Sequence, residues 1–253
     1  MIDYARLMAQ ASLLRRQLGE DSSSPIDIFA MAQNIDGLTI VYYPLGDNLS
    51  GMCIKGQENN NLIAINSAMT LGRQRFSMAH EFYHLYYDDS MVSICAKKIN
   101  SGKEIEKSAD MFASYFLMPE PALIIMAGGL SEKRDDKCIT LSDVIRIEQY
   151  FGVSHQAAVF RLMHTSFLSE ADGNAFLNAA VRRNAEALGY SADLYRPSPE
   201  GKHYMTYGNY IKQAEQVLSK NLVSIGKYEE LLLSAFRQDL VYGDEDEEGD
   251  VID

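Results

Sequence analysis

The sequence predicts an α+β fold: mostly helical, built around a small antiparallel sheet, then a helix-turn-helix-like segment and a further helical region. Three observations carry this. Apolar residues recur at helical spacing on both sides of residues 38–66. Between those limits three short runs are rich in β-branched and aromatic side chains. Residues 140–168 read as helix, glycine turn, helix.

The elements follow in order. DYARLMAQASLLRRQL, residues 3–18, places Ala5, Leu7, Met8, Ala11, Leu13, Leu14 and Leu18 at helical intervals. GEDSSSP breaks that pattern. Ser24-Pro25 then reads as an N-cap with proline in the first turn, opening a helix over IDIFAMAQNI that Gly37 closes. LTIVYYPL reads as a strand; NLSGMCIK and NNLIAIN read as two more, joined by the polar turn GQENN. A helix runs from Arg73 to about Tyr87, with Phe76, Ala79, Tyr83 and Tyr86 on one face. After a polar stretch, a helix over residues 104–118 stops at Pro119-Glu120-Pro121. In residues 140–168, Val144, Ile147 and Tyr150 precede the turn at Gly152, and Ala158, Phe160 and Leu162 follow it. Residues 170–243 are helical, interrupted near YRPSPEGKHY.

Bulk properties narrow the function classes. The 253 residues suffice for one large domain or a core domain with additions, and 47% hydrophobic with 23% charged residues is ordinary globular composition. No apolar run is long enough for a transmembrane helix, and the N-terminus lacks the pattern of a signal peptide. Cys53, Cys95 and Cys138, odd in number and widely spaced, read as free thiols in a reducing cytosol. The net charge of −12 is concentrated in the last ten residues, DEDEEGDVID, with seven acidic side chains and no basic one. That tail reads as disordered, and the mildly acidic remainder gives no electrostatic reason to expect nucleic-acid binding.

HEFYH, residues 80–84, carries the chemistry. Helical spacing of i and i+4 puts His80 and His84 on one face, able to share an ion. Glu81, about 100° around the helix, can reach a metal-bound water. Catalytic zinc takes three protein ligands, so a third must come from another element. Glu106 in EKSAD is the best candidate, with 21 residues between it and His84. On its helix Glu106, Ala109, Asp110, Ala113 and Leu117 form one stripe, whose alanines permit close approach to the histidine helix. Asp110 can accept the other ring N–H of a ligating histidine. Cys95 falls between the two helices but not at ligand spacing. His155 and His164 read as structural or exposed.

With NNLIAIN, RQRFSMAHEFYH, EIEKSADMFASYFLMP and LSDVIRIEQYFGVSHQAAVFRLM in this order, the sequence resembles the ImmA/IrrE-like zinc metallopeptidases, HExxH peptidases with a downstream glutamate ligand. The resemblance covers roughly residues 25–168. It implies a zincin-like fold, Zn2+ held by His80, His84 and Glu106, and Glu81 as catalytic base. It also implies a cytoplasmic endopeptidase that cleaves a helix-turn-helix transcriptional repressor encoded nearby, as an anti-repressor in a mobile element, phage or stress response. The chain departs from many members at three positions: Tyr83 where glycine is common, Asp110 where asparagine is common, and Ser108 where a second glutamate is common. Tyr83 is expected to narrow the cleft.

The domain organisation expected from these readings is a metallopeptidase domain over 1–130, a helix-turn-helix-like subdomain over 131–168, a helical region over 169–243 and the acidic tail, 244–253. Zinc is the default metal, though manganese or iron can occupy a His₂Glu site. His203 and Tyr204 have the right chemistry for an oxyanion partner. The alternative function is a non-proteolytic, antitoxin-like protein that keeps the fold and acts by binding a repressor. Direct DNA binding is not expected: residues 140–168 contain Asp143, Arg146, Glu148 and Arg161, which sum to no charge.

Overall fold

The computed structural model describes residues 2–99, 103–132 and 138–243. The acidic tail and its expected disorder lie outside these residues. Helices α1 (Tyr4–Gln17) and α2 (Ile28–Gln33) lead into strands β1 (Leu38–Tyr43), β2 (Leu49–Ile54) and β3 (Asn61–Asn66). Helix α3 (Leu71–Tyr87), strand β4 (Val92–Ala96) and helix α4 (Glu104–Leu117) follow. Next come α5 (Glu120–Ser131), α6 (Leu141–Phe151), α7 (His155–His164), α8 (Glu170–Leu177) and α9 (Val181–Ala187). Strand β5 (Met205–Gly208) and helices α10 (Asn209–Ser219), α11 (Ile225–Ser234) and α12 (Gln238–Tyr242) end the described chain. The architecture is mixed α+β. No single helix among the described residues is long and apolar enough to cross a bilayer.

The sheet corrects the expectation in two ways. It has five strands in the order β4-β2-β3-β1-β5, and it is mixed rather than antiparallel. β2 and β3 form the expected antiparallel hairpin, but β1 runs parallel to β3. The hairpin crosses to the far side of β3 instead of folding back on β1. Buried Asn66 holds that crossover: its amide donates to the carbonyls of Gly46 and Leu49, 2.7 Å each, and its oxygen accepts from Leu45 N. The two added strands, β4 and β5, fall in stretches that read as polar or helical, and both are short edges.

Two caps also differ from expectation. Helix α2 is capped by Asp27, whose carboxylate accepts from Phe29 and Ala30 N–H, rather than by Ser24. Ser24 is drawn into a turn on Asp21 instead. Pro119-Glu120-Pro121 ends one helix and starts another, because proline is tolerated in the first turn of α5.

One hydrophobic core runs through the molecule. α3 and α4 pack side by side, with Phe82, Phe112 and Phe116 fully buried and the Phe112 and Phe116 rings stacked at 5.6 Å. α1 covers α4, locked by buried Arg15, whose guanidinium donates to the carbonyls of Phe116, Ser24 and Asp21. Val144, Ile147 and Phe151 of α6 and Ala158 and Leu162 of α7 belong to the same core. Gly152 caps α6 at φ 65°, a left-handed conformation open to glycine at no steric cost. Its carbonyl accepts from Arg75 of α3, and a side chain at 152 would meet that guanidinium at 2.8 Å. The turn between α6 and α7 is thereby tied to the helix that carries HEFYH.

Candidate metal centre

Three elements converge at one end of α3. His80 and His84 lie one turn apart with their Nε2 atoms 3.2 Å from each other. Glu106 reaches across from α4: Oε2 is 3.4 Å from His80 Nε2 and Oε1 is 3.6 Å from His84 Nε2. The approach is possible because Ala109 and Ala113 of α4 are fully buried and small. The stripe read from the sequence is the face that meets α3.

Each histidine is anchored from behind. His80 Nδ1 donates to Asp110 Oδ1 at 2.9 Å. His84 Nδ1 donates to Asp88 Oδ2 at 2.8 Å. The sequence reading missed Asp88, although its signal was present: Asp88 follows His84 by four residues at the helix end. Asp88 is held by Ser90 N–H and by the Ser90 and Ser93 hydroxyls. Burial opposes its charge, but the hydrogen bonds from His84 and Ser90 pull its pKa down to about 2.

This donor set fits a metal ion. A carboxylate can only accept, so each Nδ1 carries a proton and each Nε2 turns inward the lone pair with which a neutral imidazole binds a metal. Two imidazole nitrogens 3.2 Å apart repel unless a proton or cation lies between them. Metal–nitrogen bonds of about 2.0–2.1 Å in tetrahedral geometry set donors about 3.3 Å apart, and the three separations here bracket that value. The electrostatics agree. Burial works against charge on His80, but Asp110, Cys95 and Glu106 outweigh it and raise its pKa well above the usual value. On His84, burial and the neighbouring His80 lower it. The hydrogen bond from His80 lowers that of Glu106.

Glu81 is fully buried beside the three donors, and neither carboxylate oxygen has a hydrogen-bond partner. Burial pushes its pKa up to about 7, with His80 opposing. It lies against β2 because residue 51 is glycine. A Cβ there would sit 2.8 Å from Glu81 Oε1 and 2.9 Å from the Ala64 carbonyl.

Cys95 joins the cluster, contrary to the reading from its spacing. One ligand atom each from His80, His84, Cys95 and Glu106 lie within 4.8 Å of one another, and Cys95 is fully buried. Strand register brings it there. β4 pairs antiparallel with β2, and Cys95 is the partner of Gly51. A cavity of about 230 Å³ opens on the cluster, lined by His80, Ile94, Ala96, Lys98, Lys103, Glu106 and Asp110. A larger cavity, about 640 Å³, lies away from this chemistry, between α2 and the β1–β5 edge.

Other expected residues fall elsewhere. Tyr83 does not line the cavity at the cluster: it is buried, packed on Phe112 and Tyr87, with its ring edge to His84. His203 and Tyr204 precede β5, at the opposite sheet edge from β4. His203 donates to the Ser198 carbonyl, and Tyr204 packs on Tyr43 and Phe236. In α7, Arg161 is buried over the Tyr115 ring and paired with Glu120, so that helix offers no exposed arginine.

No curated protein matches the chain. The profile of the IrrE N-terminal-like domain does match, over residues 35–163, which spans β1 through α7 and every residue of the cluster. With just over half of its length matched, the chain belongs to the IrrE N-terminal-like domain family of metallopeptidase-like proteins.

Proposed function

We propose that the chain is a zinc-dependent endopeptidase with a zincin-like centre, in which His80, His84 and Glu106 hold the metal and Glu81 is the catalytic base. The observation that carries this reading is the convergence of three donors around a buried carboxylate that has no protein partner. Zinc bound there would polarise a scissile carbonyl and acidify a water. Glu81, with a pKa near 7, is suited to take a proton from the attacking water and later deliver it to the leaving amine. Asp110 and Asp88 act through the histidines, fixing each ring so that Nε2 faces the centre. The sheet supplies a docking edge: β4 is terminal in the sheet, so an extended polypeptide can add to it beside the cavity under His80.

The substrate we propose is a helix-turn-helix repressor encoded beside the protein and met in the cytoplasm. Family membership supports this. The test incubates that repressor with wild type and Glu81→Gln, with and without chelator. Wild type should cleave it, and chelator should stop cleavage. Glu81→Gln should keep its metal and be slower by about 10²–10⁴-fold. Unchanged cleavage by Glu81→Gln overturns the assignment.

A further inference from the structure

We propose that Cys95 is a fourth protein ligand, closing the metal centre into a latent state in which the position needed for water is filled by its Sγ. The inference rests on the metal-centre reading above and adds a residue that the histidine motif does not predict.

Three observations converge on it. The Cys95 thiol, fully buried, belongs to the one group of four close metal-ligating side chains found among the described residues. Its position is built by the strand pairing. Between Leu49 and Gly51 the β2–β4 register shifts, leaving Ser50 as an extra residue. The Ser50 hydroxyl donates to the carbonyls of Cys95 and Ala96 and fixes the strand at that bulge. Bulges re-aim side chains, and this one sets Cys95 opposite Gly51, the residue against which Glu81 lies. The third observation is Glu81 itself: a fully buried carboxylate with no partner, facing the same space.

The chemistry follows from coordination number. Structural zinc sites are closed by four protein ligands; catalytic ones keep a position open. Two imidazoles, one carboxylate and one thiolate complete a tetrahedron. As the metal–sulfur bond forms, the thiol proton is released to solvent, as on any thiol ligation. Glu81 then has no water to activate. Docking of the proposed substrate on the free edge of β4 reopens the position. β4 is held on one side only, by β2. As it moves, the metal–sulfur bond breaks and the thiolate takes up a proton, so the wild type is latent alone and cleaves the substrate that docks.

Cobalt reports the ligand directly. The full chain carrying Cys138→Ser, which removes the exposed thiol, is stripped with chelator and titrated with Co2+. A thiolate-to-cobalt charge-transfer band in the near ultraviolet should grow in step with the visible d–d bands. Adding Cys95→Ser should abolish the charge-transfer band and keep the d–d bands. Acetohydroxamate should then shift the d–d bands of the Cys95→Ser protein and leave those of its parent unmoved. Cobalt binding without the charge-transfer band, or a band that survives Cys95→Ser, overturns the proposal and leaves the His80–His84–Glu106 centre standing. Failure of the parent to bind cobalt at all overturns both. If the Cys95→Ser protein does not fold, the parent carrying Cys53→Ser decides the question, because Cys95 is then the one thiol left: the charge-transfer band should persist there, and its loss overturns the proposal.

Discussion

His84 Nδ1 donates to Asp88 Oδ2 at 2.8 Å, one helical turn further on, and this bond turns the opposite nitrogen of the ring toward His80 and Glu106. Asp110 does the same for His80. Removing either carboxylate frees the ring to rotate and to take the other tautomer. Asp88→Ala and Asp110→Ala should each weaken metal binding by about 10- to 100-fold while leaving the fold intact. Competition with a chelator of known affinity measures this. Affinities unchanged within twofold would show that the two aspartates do not orient the ligands.

Gly51 should be intolerant of any side chain. A Cβ would press on Glu81 at 2.8 Å and on the Ala64 backbone carbonyl at 2.9 Å, and the carbonyl cannot move without disturbing β3. Gly51→Ala should lower stability by about 1–3 kcal/mol, read as a shift in urea midpoint. It should also impair any Glu81-dependent cleavage more than it impairs metal content. A variant as stable as wild type would mean that β2 and α3 are not in close contact there.

The α3–α4 seam should respond to volume. Ala113 is fully buried where the two helices pack. Ala113→Leu should cost about 1–3 kcal/mol in stability and reduce metal affinity, because Glu106 is carried on the displaced helix. Urea unfolding and chelator competition on the same preparation test both halves. Lost stability with wild-type affinity would separate the seam from the site.

His155 supplies a pH dependence remote from the centre. Its Nδ1 faces Glu148 Oε2 at 3.1 Å and its Nε2 faces the Phe176 carbonyl at 2.9 Å, two acceptors that only a doubly protonated ring satisfies. Burial works against the charge, yet Glu148 outweighs it and the pKa is raised above 6.5. A raised pKa stabilises the folded state fully below about 6.5, and that contribution is lost as pH rises through the folded value. The stability difference between wild type and His155→Gln should therefore be largest in mild acid and shrink above neutrality. Thermal unfolding across that range checks it; a difference that grows with pH would reverse the assignment.

These residues also mark what the sequence makes legible. His80, His84, Glu106 and Asp110 share helical periodicity within two helices, so their convergence could be read from spacing and from the small alanines between. Asp88 is equally legible, four residues from His84 and so one helical turn further on. Cys95 was not legible. Its place depends on which strand β4 pairs with, on the register, and on one bulge at Ser50, all long-range properties. The same holds for the sheet. Strand content over residues 38–66 is local, but the parallel pairing of β1 with β3 depends on which side of β3 the hairpin takes. β4 and β5, at five and four residues, are too short to outweigh their polar and helical surroundings. Tyr83 shows the limit in the other direction: its bulk was visible, but not that Phe112 and Tyr87 would receive it.

The central claim is a metal centre made by His80, His84 and Glu106, and anomalous diffraction at the zinc edge from crystals of the zinc-loaded full chain tests it most directly. The expected result is one strong anomalous peak bonded to both Nε2 atoms at about 2.0–2.1 Å and to the Glu106 carboxylate at about 2.0–2.2 Å. Zinc-loaded crystals with no peak between those three side chains, or with the ion bound elsewhere on the chain, would contradict it.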